Sequence, residues 1–269
     1  MHEANGRECC ERHASCAGGR AMSASPQSDP RVASAPDTAW EGWAEELEAR
    51  PEQVAGFGLA LVLGFAGGLV ALVAFAWLAD QVLGRQTQQL DDATLAFLRQ
   101  SSSPMLDWLA LGVSMLGSEV VLLVGMVLLG VFAWQRRWGA FGGLLLVTGG
   151  AQVLNDVLKE LFHRTRPAPV AGLISAQQFS FPSGHAMVSA AFYFFLAYLA
   201  WRLVVRPAWR VVLVSGLIAV VLLIGLARLY LAAHFLSDVI AGYFAGFVWT
   251  DAVILGGRFL QVRRRRLNA

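Results

Sequence analysis

Charged side chains are scarce in this chain of 269 residues. Only 15% of the residues are charged and 56% are hydrophobic, whereas about 25% of the residues of an ordinary soluble domain are charged. Long uncharged runs alternate with short breaks that contain arginine. This composition argues against a soluble globular protein and indicates a bundle of helices in a membrane.

Lysine and cysteine are also rare. Lys159 is the single lysine among 21 basic residues, and the arginines lie between apolar runs without forming a basic face interleaved with aromatic residues. Nucleic acid is therefore not expected as a partner. The three cysteines, Cys9, Cys10 and Cys16, have a spacing that fits no zinc site. We expect no metal and no other cofactor.

Residues 1–52 contain ten of the 19 acidic residues, four prolines and no apolar run that could start a core. We interpret them as a mostly disordered cytoplasmic tail. Within it, Thr38–Arg50 is either a short amphipathic helix at the membrane surface or a solvated helix. The first apolar run lacks the basic flank and cleavage site of a signal peptide, so we expect it to remain in the protein.

Six apolar runs are long enough to cross a hydrocarbon core about 30 Å thick as helices. The polar stretch 80–107 has its leucines and a phenylalanine at helical spacing, which predicts an interfacial helix between the first two spans. Gly117 is predicted to interrupt the long run that follows. The fold is therefore expected to be an all-α integral membrane bundle over residues 53–257, followed by a basic cytoplasmic tail at 258–269. The predicted spans are 53–79, 120–135, 138–155, 186–201, 211–227 and 235–257.

Ten arginines lie in the breaks after the second, fourth and sixth predicted spans. Because positive charge is enriched on the cytoplasmic side of membrane proteins, these breaks and both termini are expected to be cytoplasmic. The opposite, external or periplasmic ends of the spans carry few basic residues. Most of those few fall within three short motifs, which places a candidate site on the external face of the cell (inner) membrane.

The third of these motifs contains His234 and Asp238, which lie four residues apart and share one face of a helix. A carboxylate that accepts a hydrogen bond from one imidazole nitrogen leaves the other nitrogen free as a nucleophile. A helix-end pair without chemistry is the alternative. An unpartnered acid near the membrane end of a span is unfavourable, which supports a paired role.

The second motif, Pro182-Ser183-Gly184-His185, directly precedes an apolar helix. Ser183 is a good N-cap residue, and free amides at a helix start bind phosphate readily. Gly184 permits close approach of the backbone, and His185 can give a proton to a leaving oxygen. An ordinary capped turn is the alternative.

The first motif supplies Lys159 and Arg166, and Arg228 precedes His234 by six residues. Three cations at one site indicate an anion as ligand, and the set is typical of a phosphate cradle. Arg164 lies in the same stretch, with snorkelling to the interface as its alternative role. The Asp91-Asp92 pair is expected to be solvated in the interfacial stretch, with no cluster of Mg²⁺-binding acids nearby.

In these three motifs the chain resembles the type 2 phosphatidic acid phosphatase family, which is related to the vanadium haloperoxidases. The patterns are K-x6-R-P from Lys159, P-S-G-H from Pro182, and R-x5-H-x3-D from Arg228. Ten positions match in order, and the resemblance covers about residues 107–257. Two positions depart from the common pattern, with Ala227 where a serine often precedes the arginine and Ala232 where glycine is frequent. Neither departure removes a proposed catalytic group.

The resemblance implies a membrane lipid phosphatase in which His234 forms a phosphohistidine, Asp238 orients it, and His185 protonates the leaving alkoxide. The phosphate oxygens would be held by Lys159, Arg166, Ser183, Gly184 and Arg228. No metal or cofactor is implied. The implied partners are the bilayer and a lipid phosphate, with polyprenyl diphosphate, phosphatidic acid and phosphatidylglycerol phosphate all left open, as is the oligomeric state.

Two other functions compete with this hypothesis. A vanadate-dependent oxidoreductase similar to the haloperoxidases would use the same cradle, but those enzymes are soluble and this chain has six predicted spans. A non-catalytic membrane protein that only binds anions would have no need of the complete set of His234, Asp238 and His185.

Overall fold

The computed structural model describes residues 57–100, 102–167 and 179–268. Within these ranges all of the regular secondary structure is helical. The eight helices are α1 (Phe57–Leu83), α2 (Gln88–Arg99), α3 (Pro104–Met115), α4 (Glu119–Trp134), α5 (Trp138–Phe162), α6 (Gly184–Leu203), α7 (Pro207–Tyr230) and α8 (Leu236–Asn268). The predicted tail of residues 1–52, with its cysteines and the Thr38–Arg50 segment, lies outside the described residues.

The described residues contain six segments that are long and apolar enough to cross a membrane, which confirms the predicted all-α fold with six spans. The segments are Val62–Leu83, Pro104–Trp134, Trp138–Phe162, Gly184–Leu203, Pro207–Tyr230 and Leu236–Leu260. Several run farther than predicted, because the helix continues through charged residues such as Lys159 and Arg228 in its last turn. Both of these side chains are buried, and a basic residue in the last turn interacts favourably with the helix dipole.

The second span consists of two helices, α3 and α4, joined at Leu116–Ser118. This confirms the predicted interruption at Gly117, but the predicted start of the span at 120 was wrong, because the apolar segment begins at Pro104 and includes α3. A Cβ atom at Gly117 would lie 2.7 Å from the Ile224 side chain of α7. The break therefore brings the backbone close to a neighbouring helix, which a larger residue would prevent.

Helix α2 is the interfacial helix predicted between the first two spans. Its buried residues, Asp91 and Leu95, are four positions apart and therefore lie on one face, while Leu90 and Phe97 are exposed. The buried face contacts α7 and α8. Helix α2 is thus fixed against the end of the bundle where α7 ends and α8 begins.

Helix α6 is the most buried span and contacts α5, α7 and α8. Its alanines meet two glycines of α8 at very short range, since a Cβ at Gly242 would lie 2.9 Å from Ala186 Cβ and one at Gly246 would lie 2.9 Å from Ala190 Cβ. Small residues at an interface allow helix backbones to approach closely in a membrane. This contact sets the start of α6 beside the start of α8.

Apolar side chains cover the outer faces of the spans. Leu69, Val73, Leu122 and Leu222 are all exposed in the protein, as expected for residues that face lipid chains. The basic stretch at 258–268 continues α8 as a helix, so the predicted basic tail follows the sixth span without a break in helical structure.

We expect Gly246→Ala to lower the free energy of unfolding by about 1–3 kcal/mol, because its methyl group would meet the Met187 carbonyl oxygen at 2.5 Å. The matched control is Gly216→Ala on α7, where a Cβ meets nothing within 4 Å. Thermal unfolding of the detergent-purified proteins, followed by circular dichroism, measures both. Equal melting temperatures for the two variants would contradict the close contact between α6 and α8.

Candidate active site

The three sequence motifs meet at one end of the bundle, around a cavity of about 600 Å³. Its wall combines three cations, two histidines, a helix start and several apolar and polar residues of α4, α5 and α6. The residues that line it are Gly117, Ser118, Val121, Leu122, Thr148, Gly149, Gln152, Asn155, Lys159, Arg166, Gly184, His185, Val188, Arg228 and His234. Six of the eight predicted site residues line this cavity, while Ser183 and Asp238 lie behind its wall.

Lys159 reaches the cavity from the last turn of α5. The helix ends at His163, whose backbone adopts the left-handed conformation with φ of 46°. The lysine Nζ would lie 3.6 Å from a Cβ at Gly184, so glycine at this position lets the ammonium group approach the start of α6. His163 itself is exposed and does not line the cavity.

Gly184 and His185 form the first turn of α6, whose leading amide groups have no acceptor within the helix. Ser183 occupies the N-cap position, as predicted, but its hydroxyl makes no capping hydrogen bond. That hydroxyl is buried and has no partner among the described residues. The prediction of a side-chain cap was therefore wrong, and the amides of this turn are left available to a ligand.

His234 lies in the short connection between α7 and α8 and is 1% exposed. Its Nδ1 atom is 2.9 Å from the carbonyl oxygen of Ser180, and its Nε2 atom is 3.4 Å from Nη1 of Arg166. A carbonyl can only accept a hydrogen bond, so we assign the proton of the neutral ring to Nδ1. This leaves the Nε2 lone pair directed toward the cavity.

Burial lowers the pKa of His234 from 6.5 to about 4, even though the neighbouring Asp238 favours the charged ring. Arg228 and Arg166 lower this pKa further by charge repulsion. Burial likewise lowers the pKa of Arg166, which Asp238 opposes. The histidine ring is therefore neutral at physiological pH, as a nitrogen nucleophile must be.

Asp238 was predicted to hold the His234 ring directly. The structure places its Oδ2 atom 3.6 Å from Nδ1 of the ring, at ion-pair distance, with the Ser180 carbonyl closer. Oδ2 accepts hydrogen bonds from the Ser180 hydroxyl and, at 2.9 Å, from the Phe235 amide, while Oδ1 accepts one from Arg164 at 2.6 Å. The carboxylate thus fixes the residues that surround the histidine.

Arg166 and Arg228 face the cavity from two different elements. Arg166 donates to the Ala233 carbonyl oxygen at 3.2 Å, and Arg228 donates from Nη1 to Ser114 Oγ on α3 at 3.0 Å. With Lys159 they surround the Nε2 side of His234. A cavity with this charge is suited to an anionic ligand such as a phosphate group.

The two departures from the family pattern have a local explanation in the structure. Ala227 is buried in an apolar cluster with Ala110 and Leu231, where a methyl group packs well. Ala232 has φ of 49° and is fully buried. A left-handed backbone favours glycine, so alanine is strained there by roughly 1 kcal/mol.

Sequence reasoning missed Asp91 and Ser180 and left Arg164 open. Asp91 is buried and bonded to Arg164, so the expectation that it is solvated was wrong, while its neighbour Asp92 is exposed. The position of Asp91 on the apolar face of α2, four residues before Leu95, is the signal that could have found it. Arg164 points into the protein, where it pairs with Asp238.

Comparison with known proteins connects this site to one family. The family model described as the PAP2 superfamily matches residues 140–259, a range that includes all eight predicted site residues. Phosphatidylglycerophosphatase B of Bacillus subtilis (strain 168) is 34% identical over 177 residues, which are 64% of this chain and 85% of that protein. Dolichyldiphosphatase 1 of Homo sapiens is 31% identical over 158 residues, which are 51% of this chain and 63% of that protein.

A solved structure shares the fold. The crystal structure of the transmembrane PAP2 type phosphatidylglycerolphosphate phosphatase from Bacillus subtilis matches with a TM-score of 0.63 and 30% sequence identity, covering 70% of this chain and 94% of the other. Sequence and fold agree, and both relate this chain to multi-pass membrane enzymes. The chain belongs to the PAP2 superfamily and is a membrane lipid phosphatase of the PAP2 type.

Proposed function

We propose that the protein removes a phosphate group from a lipid headgroup through a phosphohistidine formed on Nε2 of His234. The observation that carries this proposal is the cavity in which three cations and two histidines face one another. His234 presents its Nε2 lone pair to that cavity, 3.4 Å from Nη1 of Arg166, since its Nδ1 proton is directed at the Ser180 carbonyl oxygen. The cations on the other walls hold the phosphate group of the substrate so that its phosphorus atom lies within reach of Nε2.

In the first step the Nε2 lone pair attacks phosphorus and the bond from phosphorus to the leaving oxygen breaks. His185, at the start of α6, gives its proton to that oxygen. The product at this stage is the free alcohol, or a lipid monophosphate where the substrate is a diphosphate.

In the second step a water molecule attacks the phosphohistidine and transfers its proton to His185. The phosphorus–nitrogen bond breaks, its electron pair returns to Nε2, and inorganic phosphate leaves. Through both steps Lys159, Arg166 and Arg228, with the amide of Gly184, stabilise the charge on the equatorial oxygens. Ser183, whose hydroxyl is buried without a partner among the described residues, supports the same turn. The mechanism requires no metal ion.

The substrate is a lipid phosphate that reaches the cavity sideways from the bilayer. Leu122 supports this route, because it lines the cavity and is also 64% exposed on the apolar outer surface. Polyprenyl diphosphate, phosphatidic acid and phosphatidylglycerol phosphate all fit this chemistry. The similar proteins are named for two such reactions, on phosphatidylglycerophosphate and on dolichyl diphosphate.

The cavity opens toward the external or periplasmic side of the cell membrane, with both termini in the cytoplasm. The clustered arginines support this orientation, because they lie within or just after the ends of α4, α6 and α8 that are away from the site.

We expect His234→Ala to reduce phosphate release by a factor on the order of a thousand or more, because the attacking group is lost. The assay uses detergent-purified protein, a panel of lipid phosphates and diphosphates, and EDTA throughout. His163→Asn is the matched control, since this exposed histidine lies outside the cavity and asparagine tolerates the left-handed backbone. Activity close to that of the wild type in His234→Ala, or loss of wild-type activity in EDTA, would contradict the mechanism.

The His234 ring should lose its proton with a midpoint near pH 4 and stay neutral at pH 6, because burial lowers its pKa to about 4. The charged form, which has no lone pair at Nε2, then becomes important only as the pH falls through about 4. NMR titration of protein with ¹³C-labelled histidine measures this, with the signal assigned from His234→Gln. A midpoint near the ordinary value of 6.5 would show that burial does not hold the ring neutral.

A cysteine at position 160, near the site, should react with a membrane-impermeant maleimide added to intact cells. A cysteine at position 135, at the other end of the bundle, should react only after permeabilisation. Glu160→Cys and Gln135→Cys suit this test because both positions are exposed, and both are made with Cys9, Cys10 and Cys16 replaced by serine. The reverse labelling pattern would place the site in the cytoplasm.

A further inference from the structure

A buried carboxylate of the interfacial helix contacts the start of α8. Asp91 is 1% exposed, and its Oδ1 atom accepts a hydrogen bond from the Ser237 amide at 2.9 Å. Its Oδ2 atom accepts from the Ser237 hydroxyl at 2.6 Å and from Nη2 of Arg164 at 2.8 Å. Asp91 thus satisfies an amide of the first turn of α8 that has no acceptor within the helix.

Arg164 connects this carboxylate to Asp238. Its Nη1 atom donates to Asp238 Oδ1 at 2.6 Å and to the Ser237 hydroxyl at 2.7 Å. The guanidinium lies 4.3 Å from the centre of the Phe235 ring, and the side chain is only 11% exposed. The planar guanidinium contacts several groups at once, and these contacts fix its orientation. A lysine ammonium group could not make the same set of contacts.

The chain of contacts continues from Asp238 to the nucleophile. Asp238 accepts hydrogen bonds from the Ser180 hydroxyl and the Phe235 amide, and the Ser180 carbonyl holds Nδ1 of His234. Two buried carboxylates therefore share the single guanidinium of Arg164. If Asp91 loses its charge, Arg164 keeps Asp238 as its ionic partner but loses the ion pair that holds its Nη2 atom on the opposite side.

We propose that Asp91 is a positioning residue for His234 that acts through Arg164, Asp238 and Ser180. The proposal rests on the phosphohistidine mechanism described above. It concerns the alignment of the nucleophile more than the binding of phosphate, because two of the three cations are held independently of Asp91. Lys159 is positioned by α5, and Arg228 is hydrogen-bonded to Ser114. A misplacement of the nucleophile by even 1 Å lowers the rate of attack by roughly a hundredfold.

The test compares Asp91→Asn with Asp92→Asn. The first variant keeps the shape of the side chain and an acceptor for the Ser237 amide but removes the charge that faces Arg164. The second removes the neighbouring carboxylate, which is exposed and bonded to Gln88. Calorimetric titration with vanadate, a mimic of the five-coordinate transition state, measures the number of intact phosphate-binding sites per protein molecule. Phosphate release is then expressed per vanadate-binding site.

We expect Asp91→Asn to lower kcat per site by about ten- to a hundredfold, with KM within about twofold of wild type. Asp92→Asn should match the wild type in both constants. A purely structural role for Asp91 would instead reduce the number of vanadate-binding sites and leave kcat per site unchanged, which would overturn the proposal.

Arg164→Lys alone provides a measurement that does not depend on Asp91→Asn folding well, and the double variant tests whether the two residues act together. If Asp91 acts through Arg164, Arg164→Lys also lowers kcat per site, and the double variant is no slower than the slower single variant. Additive effects, or a normal kcat per site in Arg164→Lys, would overturn the proposal. Failure of the phosphohistidine mechanism has a different signature, namely a wild-type protein that does not bind vanadate or a His234→Ala variant that remains active.

Discussion

The burial of charge at the end of an apolar bundle is the constraint on which the rest of this structure depends. An isolated buried ion costs several kcal/mol, so each must meet an opposite charge or hydrogen-bonding groups. Asp91 and Asp238 meet this requirement by sharing the guanidinium of Arg164, and their other lone pairs accept from Ser180, Ser237 and backbone amides. These contacts together fix the conformation of the connection between α7 and α8.

His234 lies between this acidic network and a set of cations. Behind the ring are Asp238 and the Ser180 carbonyl, and in front of it are Arg166 and Arg228 with the other residues of the cavity. The ring itself is neutral because burial disfavours its charged form. In the proposed mechanism, a phosphate dianion in the cavity would reduce the repulsion among the cations, and the same cations would stabilise the negative charge that develops during transfer.

The close contact between α6 and α8 fixes the position of the acidic network relative to the cavity. Gly242 and Gly246 allow α8 to approach the backbone of α6, and Ser183 at the start of α6 donates its amide to the Asp238 carbonyl oxygen at 3.0 Å. The start of α6 is therefore bonded to the first turn of α8, which follows the proposed nucleophile His234 closely in the chain. This connection matters because phosphoryl transfer depends mainly on positioning and electrostatic stabilisation.

The sequence by itself determined the helical membrane fold, the break at Gly117, the interfacial helix and the three motifs, because hydrophobic periodicity and residue spacing are local properties of the chain. It also identified the cations and histidines of the cavity. Only the tertiary structure decided the partners of the buried acids. Asp91 is 146 residues from Ser237 and 73 from Arg164, and Ser180 is 54 residues from His234. Which polar groups satisfy one another in a low-dielectric interior depends on how separate helices meet, and no local pattern encodes that.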